Sequence, residues 1–245
     1  MSKPSSKHTP QPVSSRTTYA LGALALVLLA VIVFAVYRWN QGSDQPRNDG
    51  YGSVHDAAVS VALDSDGAIV LGKPGVAKTI EIFEDPICPA CGNLERIYGQ
   101  EIAQQLDEGK FAVRYRLVSF LDGMSKSKDY STRAVAANEC VAQAGDGRVY
   151  SKFHELLFTT KQPEERGNDH DNQALAAIAK EAGASDDVAR CITGGQRIDT
   201  ARNHAEAAMK ALEGKLGDDA GTPSIFIDDK RIDWQNDNWV LDAAK

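Results

Sequence analysis

The chain has 245 residues, with 27 Lys or Arg against 34 Asp or Glu and a net charge of −7. The first 18 residues carry Lys3, Lys7 and Arg16 and no acid. Removing these and Arg38 from the total leaves −11 for residues 39–245, which argues against a nucleic-acid partner, whose binding rests on neutralising phosphates. No Gly-rich phosphate loop is present, and no His pairs with a second His at ligand spacing, so neither a cofactor nor a metal is expected.

In chain order, residues 1–18 are rich in Ser, Thr, Pro and Lys and read as a disordered basic tail. Tyr19–Tyr37 is 19 consecutive uncharged, mostly aliphatic residues, close to the roughly 20 needed to span a bilayer core. The alternative is a cleaved signal peptide. Its apolar stretch would be shorter and followed by a small-x-small site, whereas Tyr37-Arg38-Trp39-Asn40 reads as an interfacial belt. A retained anchor is the preferred reading, with the basic tail cytoplasmic and the body outside. Residues 38–53 are polar, with Gly, Pro, Asp and Asn, and read as a linker.

Val59–Leu63 and Ala68–Gly72 are short apolar runs joined by Asp64-Ser65-Asp66-Gly67, a hairpin connection. Pro74-Gly75 turns the chain into a strand at Lys78–Phe83. There follows Cys88-Pro89-Ala90-Cys91, then a segment read as a helix, Gly92–Glu108. A Cys-x-x-Cys at a strand-to-helix junction marks a thiol–disulfide exchange site. Unpaired N–H groups and the macrodipole at the helix start favour a thiolate on Cys88. Cys91 lies one turn deeper, and Pro89 fits the first helical position, which needs no N–H. Cys88 is expected to be partly exposed and Cys91 less so. The competing assignments are a structural disulfide or half a zinc site. The second needs another close pair, and Cys140 and Cys191 are 51 positions apart.

Phe111–Phe120 has strand composition. From about 125 to 215 the chain is Ala-rich and apolar residues recur at i, i+3, i+4, i+7: Ala137, Cys140, Val141, Ala144; Leu175, Ile178, Ala179, Ala182; and a longer stripe from Ile198 to Leu212. Tyr150, Phe153, Leu156 and Leu157 form another, beside which His154 reads as a helix-surface or boundary residue. Gly145, Gly183 and Gly194-Gly195 are helix stops. Strand character returns at Ser224–Asp228 and Arg231-Ile232, before a final helix at about Asn236–Ala244. Thus two halves of an α/β unit are separated by an inserted helical block.

In the segment Ile82 to Cys91 and the downstream Gly221-Thr222-Pro223-Ser224, the sequence resembles the DsbA-like branch of the thioredoxin superfamily, over roughly Ala68–Lys245. The anchor and second cysteine pair are similar to those of the actinobacterial members. The resemblance implies a thioredoxin-like α/β fold over residues 54–245 with a helical insertion at about 125–215. It also implies a cis Pro223 facing the Cys88–Cys91 disulfide, with Thr222 and Pro223 aligning substrate. The partners implied are secreted proteins with thiols or disulfides and a quinone-linked membrane reoxidant of the DsbB or VKOR type.

Three positions depart from the family pattern. Ile82 stands where many members bury an acid behind the disulfide, the nearest acids being Glu81, Glu84 and Asp85. Ala90 replaces the His of strong oxidants, and Thr222 is closer to the isomerase branch. A reductase or isomerase kept reduced by a membrane carrier, and a non-catalytic tethered binding module, are therefore retained as alternatives to an extracytoplasmic oxidoreductase exchanging disulfides with secreted proteins through Cys88–Cys91. For Cys140 and Cys191 a structural disulfide between inserted helices is preferred over a second active site, because both sit in helical stripes and four exported cysteines suit an oxidising compartment.

Overall fold

The computed structural model describes residue 19, residues 23–33 and residues 45–245. The chain divides into a unit of residues 1–45 and a compact unit Pro46–Lys245. In the first, residues 23–33 are helical and exposed. The predicted tail lies outside the described residues, as do parts of the predicted span (20–22 and 34–37) and of the linker (38–44). Among the described residues no helix is long and apolar enough to cross a membrane.

The compact unit is built on six strands: β1 (Ser60–Leu63), β2 (Ile69–Gly72), β3 (Thr79–Glu84), β4 (Ala112–Leu117), β5 (Ser224–Ile227) and β6 (Lys230–Ile232). They lie in the order β1-β2-β4-β3-β5-β6. Only β3 and β4 are parallel, and the crossover between them is helix α1 (Pro89–Asp107), as parallel pairing requires. Helices α2 (Tyr130–Ala142), α3 (Gly147–Phe158), α4 (Asn172–Glu181), α5 (Asp186–Thr193) and α6 (Ile198–Leu216) fill the sequence between β4 and β5. A short α7 (Trp239–Ala243) ends the chain; the sequence pattern extends it three residues further back, where Asp233–Asn238 instead form turns.

Strand parity sorts the core. Alternate residues of β3 face opposite sides. Ile80 and Ile82 enter the main core with Leu94, Ile97 and Leu106 of α1. Phe83 faces the other way and packs with Leu212 of α6 and Phe226 of β5. Fully burying each such side chain contributes about 1.5–3 kcal/mol, so truncating Leu94 to Ala should cost about 2–5 kcal/mol. Helix α1 ends in a Schellman motif: Lys110 N–H bonds the Gln105 carbonyl, Gly109 N–H bonds that of Leu106, and Gly109 takes φ +67°.

The segment before β1, read from sequence as tether, is laid along α1. Arg47 N–H bonds the Ile97 carbonyl at 2.6 Å. The Tyr51 hydroxyl bonds Asp107 at 2.7 Å, and Gly52 N–H bonds Gln100 at 2.8 Å. The signal lies in spacing: Ile97, Gln100, Gln104 and Asp107 share one helix face.

Candidate active site

Cys88 caps the N-terminus of α1 in an extended conformation (φ −67°, ψ 118°), and Pro89 opens the helix. The next β-strand in the sheet brings the second half of the site to it. β5 pairs antiparallel with β3, Ser224 opposite Phe83, which sets the preceding Thr222-Pro223 beside Cys88. The Thr222-Pro223 peptide bond is cis. The Cys88 thiol donates to the Thr222 carbonyl oxygen at 3.4 Å, although the two residues are 134 positions apart in sequence.

Cys88 and Cys91 are both free thiols. Cys88 is only 6% exposed and Cys91 is wholly buried. Cys88 is thus more enclosed than a helix-terminal position alone suggests, because the Thr222 loop and the insertion close over it. The Cys91 thiol, donating toward Cys88, is the largest cause of a lowered Cys88 pKa. Burial opposes it, Thr222 and the Cys91 and Ala90 N–H groups assist it, and the value falls to about 6. Cys91 moves the other way, well above its ordinary value, through burial, its hydrogen bond to Cys88 and the charge of Glu84. One turn of helix therefore separates a stable thiolate from a stable thiol.

The insertion reaches the same turn. Gln162, just past α3, donates from Nε2 to the Cys88 carbonyl at 2.9 Å and to the Pro86 carbonyl at 3.3 Å. Gly92 permits that approach: a Cβ there would lie 2.0 Å from Gln162 Oε1 and 2.8 Å from the Phe158 carbonyl. Asp85, wholly buried, ties the same loop to the insertion. It accepts from Ile87 N–H, Leu121 N–H and the Ser131 hydroxyl, while burial raises its pKa to about 7.

Beneath the cysteines lies a group that sequence reasoning missed. Glu84 of β3, Glu95 of α1 and His154 of α3 are all buried, and one donor atom from each lies within 4.8 Å of the others, the one such set among the described residues. His154, expected at a helix surface or its boundary, is 2% exposed. It sits between Tyr150 and Phe158, one turn away on either side, with Tyr115 against its ring, because α3 is buried on two faces. Burial and the charge of Glu95 raise Glu84 to about 7. Burial alone would lower His154, but Glu95 and Glu84 outweigh it and raise it to about 9. Strand parity is the signal for Glu84, which shares the inward face of Ile80 and Ile82.

Cys140 of α2 and Cys191 of α5 are joined by a disulfide, Cα to Cα 6.0 Å. Of the remaining His residues, His204 bonds Glu139 at 2.8 Å, and His55 and His170 bond backbone carbonyls. Trp239 is buried in the main core and Trp234 packs against it.

The chain matches a family model described as Thioredoxin over residues 64–244. It is 37% identical over 185 residues to the serine/threonine-protein kinase PknE of Mycobacterium tuberculosis, a match covering 75% of this chain but 32% of the kinase. The chain thus spans about a third of the length of that relative. Among solved structures it is similar to MdbA, a thiol-disulfide oxidoreductase from Corynebacterium diphtheriae (TM-score 0.67, 32% identity, 78% of this chain and 95% of that one). It is also similar to reduced DsbA from Mycobacterium tuberculosis (TM-score 0.60, 29% identity, 76% and 90%). The Cys88–Cys91 helix start, the cis Thr222-Pro223 bond against it and these likenesses have one common explanation: the chain belongs to the thioredoxin family, in its branch of DsbA-like thiol–disulfide oxidoreductases.

Proposed function

We propose that this chain donates disulfides to secreted proteins outside the cytoplasmic membrane, tethered there by Tyr19–Tyr37. The observation that carries the reading is the opposed pair at the start of α1: a thiolate-prone Cys88 under the Thr222 carbonyl and a buried, protonated Cys91. In this reading a substrate thiolate attacks Cys88 Sγ, a mixed disulfide forms, and Cys91 leaves and takes up a proton. A second substrate thiolate then attacks the substrate sulfur of that bond and expels Cys88 as a stabilised thiolate. Two electrons pass from the substrate dithiol to the enzyme. Thr222 and Pro223 align the substrate backbone beside Cys88, and the Cys140–Cys191 bond has a structural role, tying α2 to α5. A quinone-linked membrane protein of the DsbB or VKOR type reoxidises Cys88–Cys91.

The likeness to oxidoreductases covering nearly the whole of their own chains supports the exchange reaction. The 19-residue apolar stretch and the even cysteine count beyond it support the location. Ala90, Ile82 and Thr222 keep a second reading, a reductase or isomerase. Thiol trapping in intact cells separates the two. Cys88–Cys91 found oxidised at steady state supports donation; a reduced pair supports reduction or isomerisation.

A further inference from the structure

We infer that Glu84, Glu95 and His154 form a site for one divalent transition ion, Zn²⁺ by its donor set, where β3, α1 and α3 meet. Two other buried acids are fully partnered: Asp85 accepts three hydrogen bonds, and Glu139 holds Arg197 and His204. Glu101 leaves one oxygen unpaired, but it stands apart from any His, whereas this cluster brings three such side chains together. Both oxygens of Glu84, Oε1 of Glu95 and both ring nitrogens of His154 are buried with no hydrogen-bond partner. Leaving such groups unpaired is costly in a low-dielectric interior.

The distances fit an ion as well as they fit a direct ion pair. His154 Nε2 lies 3.3 Å from Glu84 Oε2 and 3.5 Å from Glu95 Oε1, and neither contact is aligned as a hydrogen bond. Ligands about 2.0–2.2 Å from a tetrahedral zinc stand about 3.3–3.6 Å apart, so the imidazole sits at a tetrahedral edge from both carboxylates. Two carboxylates and one dication are neutral together, which suits surroundings of Tyr115, Tyr150 and Phe158 rings. A cavity of about 20 Å³ lies against Glu95 and His154. It has room for one water as fourth ligand. Half-buried Gly52 and Ser53 also line it and give a way in from the surface. The sequence shows no His pair at ligand spacing because the set uses one His and draws its two carboxylates from other elements.

The test uses the full chain in detergent, with Cys88–Cys91 oxidised so that no thiolate can bind. It is stripped with chelator and titrated with Co²⁺ as a spectroscopic stand-in, then with competing Zn²⁺. The expected result is one Co²⁺ per chain with intense tetrahedral d–d bands, no thiolate charge transfer, and displacement by Zn²⁺. Glu95→Gln and His154→Gln should each weaken binding at least tenfold, and Glu95→Asp should shift the bands while keeping the stoichiometry. Absence of a tetrahedral band in the wild type would overturn the assignment and leave the cluster as a shared-proton network. Binding unchanged in folded Glu95→Gln and His154→Gln would overturn it equally. If those variants fail to fold, the wild-type titration and the Glu95→Asp spectrum decide.

Discussion

Reducing the Cys88–Cys91 pair at different pH values separates its titration from that of groups remote from the site. Cys88 titrates at about 6 in the folded protein against a reference of 9.0. A depressed folded pKa stabilises the reduced fold fully above the unfolded value, and that stabilisation is lost as pH falls through the folded value. Between pH 5 and pH 8 the linkage relation gives a gain of about 2.6 kcal/mol for such a shift. Cys88 keeps a small exposed fraction, and allowing for solvent screening there the expected gain is about 2 kcal/mol. The oxidised protein has no such thiol, so the difference between reduced and oxidised stabilities cancels the groups that do not sense Cys88; Glu84 and Asp85, which its charge pushes up, contribute alongside it. Denaturant unfolding of the Pro46–Lys245 unit in both redox states, at pH 5 and pH 8, measures it. The reduced form should gain about 2 kcal/mol on the oxidised form, equivalent to about 40 mV of reduction potential. A gap that stays constant between pH 5 and pH 8 would refute a stabilised Cys88 thiolate.

Other outcomes follow from the same geometry. Cys91→Ser should accumulate mixed disulfides with substrates, seen on non-reducing gels, because Cys88 keeps its nucleophile and loses its resolving partner. Ala90→His should place a further donor beside the thiolate and make the disulfide more oxidising, as read by equilibration with glutathione. Replacing Cys140 and Cys191 by Ser should lower stability by at most about 4 kcal/mol, the chain-entropy limit for a loop spanning 51 positions, with exchange activity retained. Impermeant labelling of intact cells should reach cysteines introduced after residue 45 and none within residues 1–18; a mature chain starting after Tyr37 would instead mark the segment as a cleaved signal.

Much of the scaffold is legible because local patterns decide it. A short apolar run after Pro74-Gly75 marks β3, and the Pro89 position marks the start of α1. Apolar stripes at helical spacing fall on four of the five helices between β4 and β5; α5 (Asp186–Thr193) carries no such full stripe in the sequence pattern. The site is less legible, because it is assembled across the sheet. No spacing connects Thr222 to Cys88; the resemblance does, and the β3–β5 pairing supplies the physical reason. The Gly92–Gln162 contact and the Glu84–Glu95–His154 cluster depend on how α3 docks against α1. In the sequence His154 looks like one polar residue in an amphipathic helix, and only packing on both sides reveals it as buried.

The most direct test of the exchange reaction is stoichiometric. The oxidised chain, mixed with an equimolar reduced dithiol peptide, should yield one peptide disulfide per chain and two titratable thiols on the protein. Cys88→Ser should yield none. Failure of the oxidised wild type to transfer its disulfide, or transfer that survives in Cys88→Ser, would contradict the account.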